Sequence, residues 1–192
     1  MRILKFDILL NNLKTRWLNM EYDLLPCTFI TVDAIGKPGQ RVFYIQGKTE
    51  DTTLTLLIEK IQIQTLAAGI LRFLEELIER NPDMSKPSGQ YNEDQMKITP
   101  PVDPLFRVGE IGLAYDIDRD LACLIAKEIQ LEAETEDEKQ QDEVRYWCTR
   151  EQLKSLAIWG LDLVQKGRPI CPLCGEPINP DGHFCPKKKW TQ

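Results

Sequence analysis

The sequence predicts an α+β fold in which an antiparallel sheet carries two helices and a cysteine-rich segment ends the chain. Three observations lead to this prediction. Each half of the chain has three β-rich segments followed by a helical one. The two helical segments match weakly at an offset of 90 residues. The last 25 residues contain cysteines and a histidine at metal-ligand spacing.

The first half begins with a predicted hairpin. Pro38 and Gly39 fit the two central positions of a type II turn, because proline presets φ and glycine accepts a positive φ. Apolar residues then recur at helical spacing from residue 59 to 80, and this predicts an amphipathic helix. The strands of this half are predicted at 28–35, 41–46 and 53–58.

The second half repeats this order. Thr149 is the predicted N-cap of the second helix, with Gln152 as its capping-box partner, and Gly167 is the predicted stop. The acidic stretch 132–143 holds seven Asp or Glu and one Lys, which is typical of a solvated hairpin tip. The strands are predicted at 106–115, 121–133 and 144–148.

The two halves indicate a βββα duplication, although two helices with similar apolar stripes could also match by chance. Gln62 aligns with Gln152, and Leu66 aligns with Leu156. The segment between the halves contains five prolines, and a connection this long is either functional or a linker, with the linker preferred. The predicted organisation is a poorly ordered N-terminal extension at 1–21, an α+β core at 22–167 with halves 22–80 and 106–167 and a linker 81–105, and a zinc-ribbon-like knuckle and tail at 168–192.

Composition excludes several classes of protein. The chain has 192 residues, with 24 Lys and Arg against 30 Asp and Glu, so its net charge is −6. An acidic chain is a poor generic binder of nucleic acids or anionic membranes. No apolar run approaches the roughly 18–20 residues that span a bilayer, and Lys5 and Asp7 interrupt the apolar N-terminus. We therefore expect a cytoplasmic protein with no membrane partner.

The strongest chemical signal lies near the C-terminus. Cys171 and Cys174 form a C-x2-C turn, and His183 and Cys185 follow as H-x-C after a predicted turn at 179–182. Three thiolates and one imidazole form a tetrahedral set that zinc favours. Four protein ligands leave no open position for water, so the predicted Zn²⁺ is structural. The other cysteines, Cys27, Cys123 and Cys148, lie among apolar residues and are expected to be buried free thiols.

The sequence offers no catalytic residues. His183 is the sole histidine, so a zinc-bound His183 leaves none for general acid–base catalysis or for activating a nucleophile. Phosphate-binding, dinucleotide-binding and nucleophile-elbow motifs are absent from the sequence. A site built from carboxylates or lysines stays open as an alternative.

Four segments of the sequence are GKPGQRVFYIQ (36–46), EKIQ (59–62), FRVGEIGLAYD (106–116) and GRPICPLCGEPINPDGHFCP (167–186). Together they resemble the bacterial domain-of-unknown-function family 3090, found mainly in actinobacteria and chloroflexi. The resemblance covers roughly residues 22–186 and implies a cytoplasmic protein that ends in a zinc knuckle. It implies no known activity. Residues 1–21, the acidic insertion and the C-terminal lysines depart from it.

Two functions compete. A closed metal site without catalytic residues favours a non-enzymatic zinc-binding protein that acts as a binding or adaptor protein. The alternative is an enzyme, or an enzyme subunit, that binds an anionic small molecule through charged residues of the four segments: Arg41, Glu59, Lys60 and Arg107. The expected partner is therefore another protein or a small anionic ligand, and nucleic acid is disfavoured. Convergence of these charged residues in one cavity would favour the alternative.

Overall fold

The structure is a computed structural model that describes residues 20–130, 141–179 and 182–187. The predictions for residues 1–19, for most of the acidic stretch and for the C-terminal tail lie outside the described residues. None of the described helices is both long enough and apolar enough to span a bilayer. In chain order the elements are β1 (Glu21–Leu24), β2 (Phe29–Ile35), β3 (Val42–Lys48), β4 (Thr53–Ile58), α1 (Lys60–Arg80), a 3-10 helix (Glu93–Met96), β5 (Pro104–Asp116), β6 (Leu121–Glu128), β7 (Glu143–Cys148) and α2 (Arg150–Gln165).

The seven strands form one sheet in the order β1-β7-β6-β5-β4-β3-β2. The α+β class is confirmed, but the prediction of a purely antiparallel sheet is wrong. β4 pairs in parallel with β5, and β1 pairs in parallel with β7. α1 and the long connection after it form the crossover that a parallel pair needs. Periodicity marks strands in a sequence, but it does not show the direction in which a strand meets its neighbour.

The connection between β1 and β2 links the two ends of the sheet. These strands lie at opposite ends of the sheet order, yet they are consecutive in the chain. The Cys27 N–H donates to the Trp147 carbonyl at 2.7 Å, and the Thr28 N–H donates to the Lys48 carbonyl at 2.8 Å. The connection therefore forms hydrogen bonds with both β7 and β3.

A tyrosine from β7 fills the space enclosed by the curved sheet. The Tyr146 side chain is fully buried. A Cβ atom added at Gly47 of β3 would lie 2.3 Å from Cδ1 of that ring. The bare backbone of Gly47 is therefore required where β3 meets the Tyr146 ring.

The two helices pack against each other and against the sheet. The Trp159 indole N–H donates to the Val32 carbonyl at 2.6 Å, which ties α2 to β2. Each fully buried Leu or Ile of the helices contributes roughly 1.5–3 kcal/mol to folding. The buried helical stripes follow the predicted spacing and comprise Ile63, Leu66, Ala67, Ile70 and Leu74 of α1, and Leu153, Leu156, Ala157, Leu163 and Val164 of α2.

The proline-rich connection packs along α2 and β2, so it does more than span the two halves. The Ser155 hydroxyl donates to the Gln90 carbonyl at 2.9 Å. The Thr31 hydroxyl donates to the carbonyl of the buried Met96. This segment therefore covers one side of the second helix and the outer face of β2.

Most element positions agree with the sequence. The predicted turn is confirmed, because the Gln40 N–H donates to the Lys37 carbonyl at 2.8 Å and Gly39 has φ +94°. Thr149 and Gln152 form the predicted capping box. β6 ends at Glu128, short of the predicted residue 133. β1, a strand of only four residues, is not among the elements predicted from the sequence.

Candidate metal centre

Two turns shape the C-terminal knuckle, which follows α2 directly. The Gly175 N–H donates to the Cys171 carbonyl at 2.9 Å, and Gly175 has φ +80°. The Gly182 N–H donates to the Asn179 carbonyl at 2.8 Å. The first turn brings Cys171 beside Cys174, and the second returns the chain toward them, as the sequence predicts.

The four predicted ligands converge at this knuckle. One ligand atom from each of Cys171, Cys174, His183 and Cys185 lies within 4.8 Å of all the others. The Cys171 and Cys185 sulfurs lie 3.8 Å apart. The Cys174 sulfur and the His183 Nε2 lie 3.6 Å apart. Three soft sulfurs and one imidazole at such distances could hold a metal ion.

The backbone around Cys171 favours its thiolate, which is the form that binds metals. N–H groups of Cys174 and Leu173 stabilise the negative sulfur and lower the pKa of Cys171 to about 7. The pKa of Cys174 is raised overall. The Glu176 N–H favours its thiolate, but desolvation and the neighbouring cysteines oppose ionisation more strongly. The cluster therefore holds its first thiolate near neutral pH, and a bound cation would favour the others.

The three scattered cysteines are buried, as predicted. Burial raises the pKa of Cys27 to about 12 and that of Cys123 to about 12. Burial also raises the pKa of Cys148. These thiols are protonated at neutral pH, so they serve as small apolar side chains.

The structure does not bring the four charged candidates together. Glu59 and Arg107 form an ion pair with each other. Arg41 and Lys60 line a separate cavity, which they share with Arg168. The sequence analysis did not identify Arg168 as a candidate. The one feature that could have indicated it is its position in the last of the four family-like segments, three residues before the first cysteine of the cluster.

A larger groove of about 350 Å³ lies between α1 and β5. Its walls are mainly apolar, and no charged residue lines it. It therefore offers no positive charge to an anionic ligand. The lining includes Ile61, Leu66, Ile111 and Leu113.

Comparison with known proteins identifies a family for this chain. A family model described as "Protein of unknown function (DUF3090)" matches residues 22–185. The match spans both helices and all four ligands of the candidate metal centre. No curated protein and no solved structure matches the chain.

Proposed function

This chain belongs to the DUF3090 family, described as of unknown function, and we propose that it is a non-enzymatic binding protein with a structural zinc ion in its C-terminal knuckle. The zinc would be held by Cys171, Cys174, His183 and Cys185. When bound, the ion would cross-link the two turns of the knuckle. Its partner would be another protein or a small anionic ligand.

The distances among the ligand atoms carry this proposal. In a tetrahedral site, zinc–sulfur bonds of about 2.3 Å place two sulfurs about 3.8 Å apart. With a zinc–nitrogen bond of about 2.0 Å, sulfur and nitrogen lie about 3.5 Å apart. The cysteine pair at 3.8 Å and the cysteine–histidine pair at 3.6 Å are close to both edges of such a tetrahedron. The mixed thiolate and imidazole donors also suit zinc.

The ligand count supports a structural rather than a catalytic role. Catalytic zinc keeps one position for water or substrate, whereas four protein ligands fill the tetrahedron. His183 is the sole histidine of the chain, so its use as a ligand leaves no imidazole for proton transfer. The chain's own residues would then fix the shape of the knuckle without activating a nucleophile.

The surface of the knuckle supports a binding role. Three large apolar side chains around the ligands are exposed: Ile170 at 60%, Leu173 at 53% and Phe184 at 77%. Small metal-held segments have little core of their own, so the ion supplies the rigidity that such a surface needs.

Metal analysis of matched variants tests the proposal. Protein expressed with zinc should contain about one zinc per chain, as a four-ligand structural site requires. Cys174→Ala should lose the metal and loosen the knuckle, while the α+β core stays folded. The control variant Cys123→Ala, which removes a buried thiol outside the cluster, should keep the zinc. A wild-type protein without zinc, or a Cys174→Ala protein with full zinc, would contradict the proposal.

A further inference from the structure

A small cavity of about 200 Å³ lies where the β2–β3 turn, the start of α1 and the end of α2 meet. Three of its lining residues are the cations Arg41, Lys60 and Arg168, and no lining residue is acidic. We propose that this cavity binds a small phosphate-bearing anion. The proposal deepens the binding role above by naming a ligand class, and it holds whether or not the knuckle contains zinc.

The three cations lack acidic partners among the residues that the structure describes. Other cations of the fold form ion pairs, such as Arg72 with Glu76 and Arg150 with Asp120. None of the three cavity cations forms one with a described acidic residue. Like charges gathered without a counter-ion repel one another, so a bound anion would stabilise this arrangement. The cluster also stands out because the whole chain has a net charge of −6.

Two glycines let the cations approach the cavity closely. Gly39 has φ +94°, and a Cβ atom there would lie 3.2 Å from both Cδ and Nε of Arg168. A Cβ atom at Gly167 would lie 3.2 Å from the Lys60 ammonium nitrogen. A larger residue at either position would push a cation away from its present place. Glycine at these two positions therefore leaves room for the charged side chains to lie close to the backbone.

Neighbouring elements hold the cations in place. Arg168 is half-buried, and its guanidinium donates to the Asn179 side-chain oxygen of the knuckle. Arg41 is half-buried just after the β2–β3 turn. Lys60 is the first residue of α1, where the helix dipole adds partial positive charge. The positive charge thus comes from three separate elements that face one cavity.

The chemistry of the lining favours a phosphate ester. Arginine's planar fork binds phosphate oxygens in pairs, and lysine adds a point charge. Drug-sized ligands occupy pockets of roughly 300–1,000 Å³, so a cavity of about 200 Å³ suits a phosphate group with a few further atoms. Pro38, Phe43 and Val164 supply an apolar wall for those atoms. A whole nucleotide would exceed this space.

Calorimetric titration of the full-length protein with pyrophosphate and with inorganic phosphate tests the site. Arg41→Gln, Lys60→Gln and Arg168→Gln should each weaken pyrophosphate binding about tenfold or more, since each removes a charge-assisted hydrogen bond. Arg72→Gln is the matched control. It removes one exposed positive charge about 18 Å along α1 from Lys60 and should bind like the wild type.

Each other outcome counts against the proposal. It is overturned if the wild type binds neither probe, or if Arg72→Gln loses as much affinity as the cavity variants. Citrate that binds more tightly than pyrophosphate, and is lost in the same variants, would assign a carboxylate ligand instead. Broadening of the pyrophosphate ³¹P signal by the wild-type protein would show binding without any variant, so this measurement tests the proposal even if a variant fails to fold. The zinc content of the protein does not depend on pyrophosphate binding. A failure of the anion-binding proposal can therefore be distinguished from a failure of the zinc proposal.

Discussion

Gln62 of α1 and Gln152 of α2 make the same hydrogen bonds in the two halves of the fold. Each side-chain oxygen accepts the backbone N–H of its helix N-cap residue at 2.8 Å. Each side-chain nitrogen donates to two consecutive carbonyls. For Gln62 these belong to Val108 and Gly109 of β5, and for Gln152 they belong to the β1–β2 connection. Each glutamine therefore caps its helix and ties it to a distant strand segment.

The strand pairing around these glutamines follows the same correspondence. β5 pairs in parallel with β4 at its start and antiparallel with β6 beyond a register shift. In the other half, β1 pairs in parallel with β7, and β2 pairs antiparallel with β3. β5 thus occupies the place that β1 and β2 share. This agreement supports the βββα duplication that the sequence indicates.

Replacing either glutamine should destabilise the protein by a similar amount. Gln62→Ala and Gln152→Ala each remove a cap and a cross-link, so we expect each to cost about 1–3 kcal/mol in urea unfolding. Gln64→Ala is the matched control, because Gln64 is exposed on the same helix, and its effect should stay within about 0.5 kcal/mol. Equal stabilities for Gln62→Ala and Gln64→Ala would show that the cross-link contributes nothing.

Gly47 should not tolerate a side chain. Gly47→Ala places a methyl group into the Tyr146 ring, and such overpacking typically costs about 1–3 kcal/mol. Gly112→Ala on β5 is the control, since its Cβ would meet only an ordinary contact at 3.8 Å. Chemical denaturation compares the two variants. Tyr146→Leu in the Gly47→Ala background should relieve part of the overpacking, so the double variant should lose less stability than the sum of the two single variants. Additive losses of unfolding free energy would contradict this packing.

The buried thiols make stability fall in alkali. The pKa of Cys123 is raised from 9.0 to about 12 in the folded state, so the unfolded chain releases this proton first as pH rises. Stability is therefore full below pH 9 and falls between about 9 and 12, by at most about 1.4 kcal/mol per pH unit for one thiol. Cys123→Ala should show a shallower decline than wild type in unfolding experiments across this range. Parallel slopes would mean that Cys123 ionises equally in both states.

The knuckle and the cationic cavity should be coupled through Asn179. Asn179→Ala removes the acceptor that holds the Arg168 guanidinium, so pyrophosphate affinity should fall several-fold. Zinc content should stay unchanged, because Asn179 is not among the ligands. Calorimetry and elemental analysis on the same sample check both statements. Unchanged affinity would show that Arg168 is positioned by other contacts.

Local patterns predicted most of the elements and the Cys/His cluster that could hold a metal ion. Helix stripes, the Thr149 capping box and the Pro38–Gly39 turn depend on neighbouring residues, so the sequence shows them directly. The C-x2-C and H-x-C spacings likewise place their ligands within one short segment. Where the chemistry depends on nearby residues, sequence and structure therefore agree.

Long-range relationships could not be read in the same way. The parallel pairing of β1 with β7 joins segments more than 100 residues apart, and a four-residue strand has no clear periodicity. The three cations of the cavity are far apart in the sequence, at residues 41, 60 and 168, and only the fold shows that they line one cavity. Likewise, only the fold shows that Glu59 and Arg107 form an ion pair outside it. The spacing of residues in the sequence does not show such long-range contacts.

X-ray absorption at the zinc edge of the purified protein tests the central claim most directly. The proposal predicts three sulfur ligands at about 2.3 Å and one nitrogen at about 2.0 Å, with no oxygen in the coordination shell. This result would agree with a closed structural site formed by Cys171, Cys174, Cys185 and His183. A shell with three protein ligands and one water oxygen would contradict it, because an open position would make the zinc a candidate catalyst.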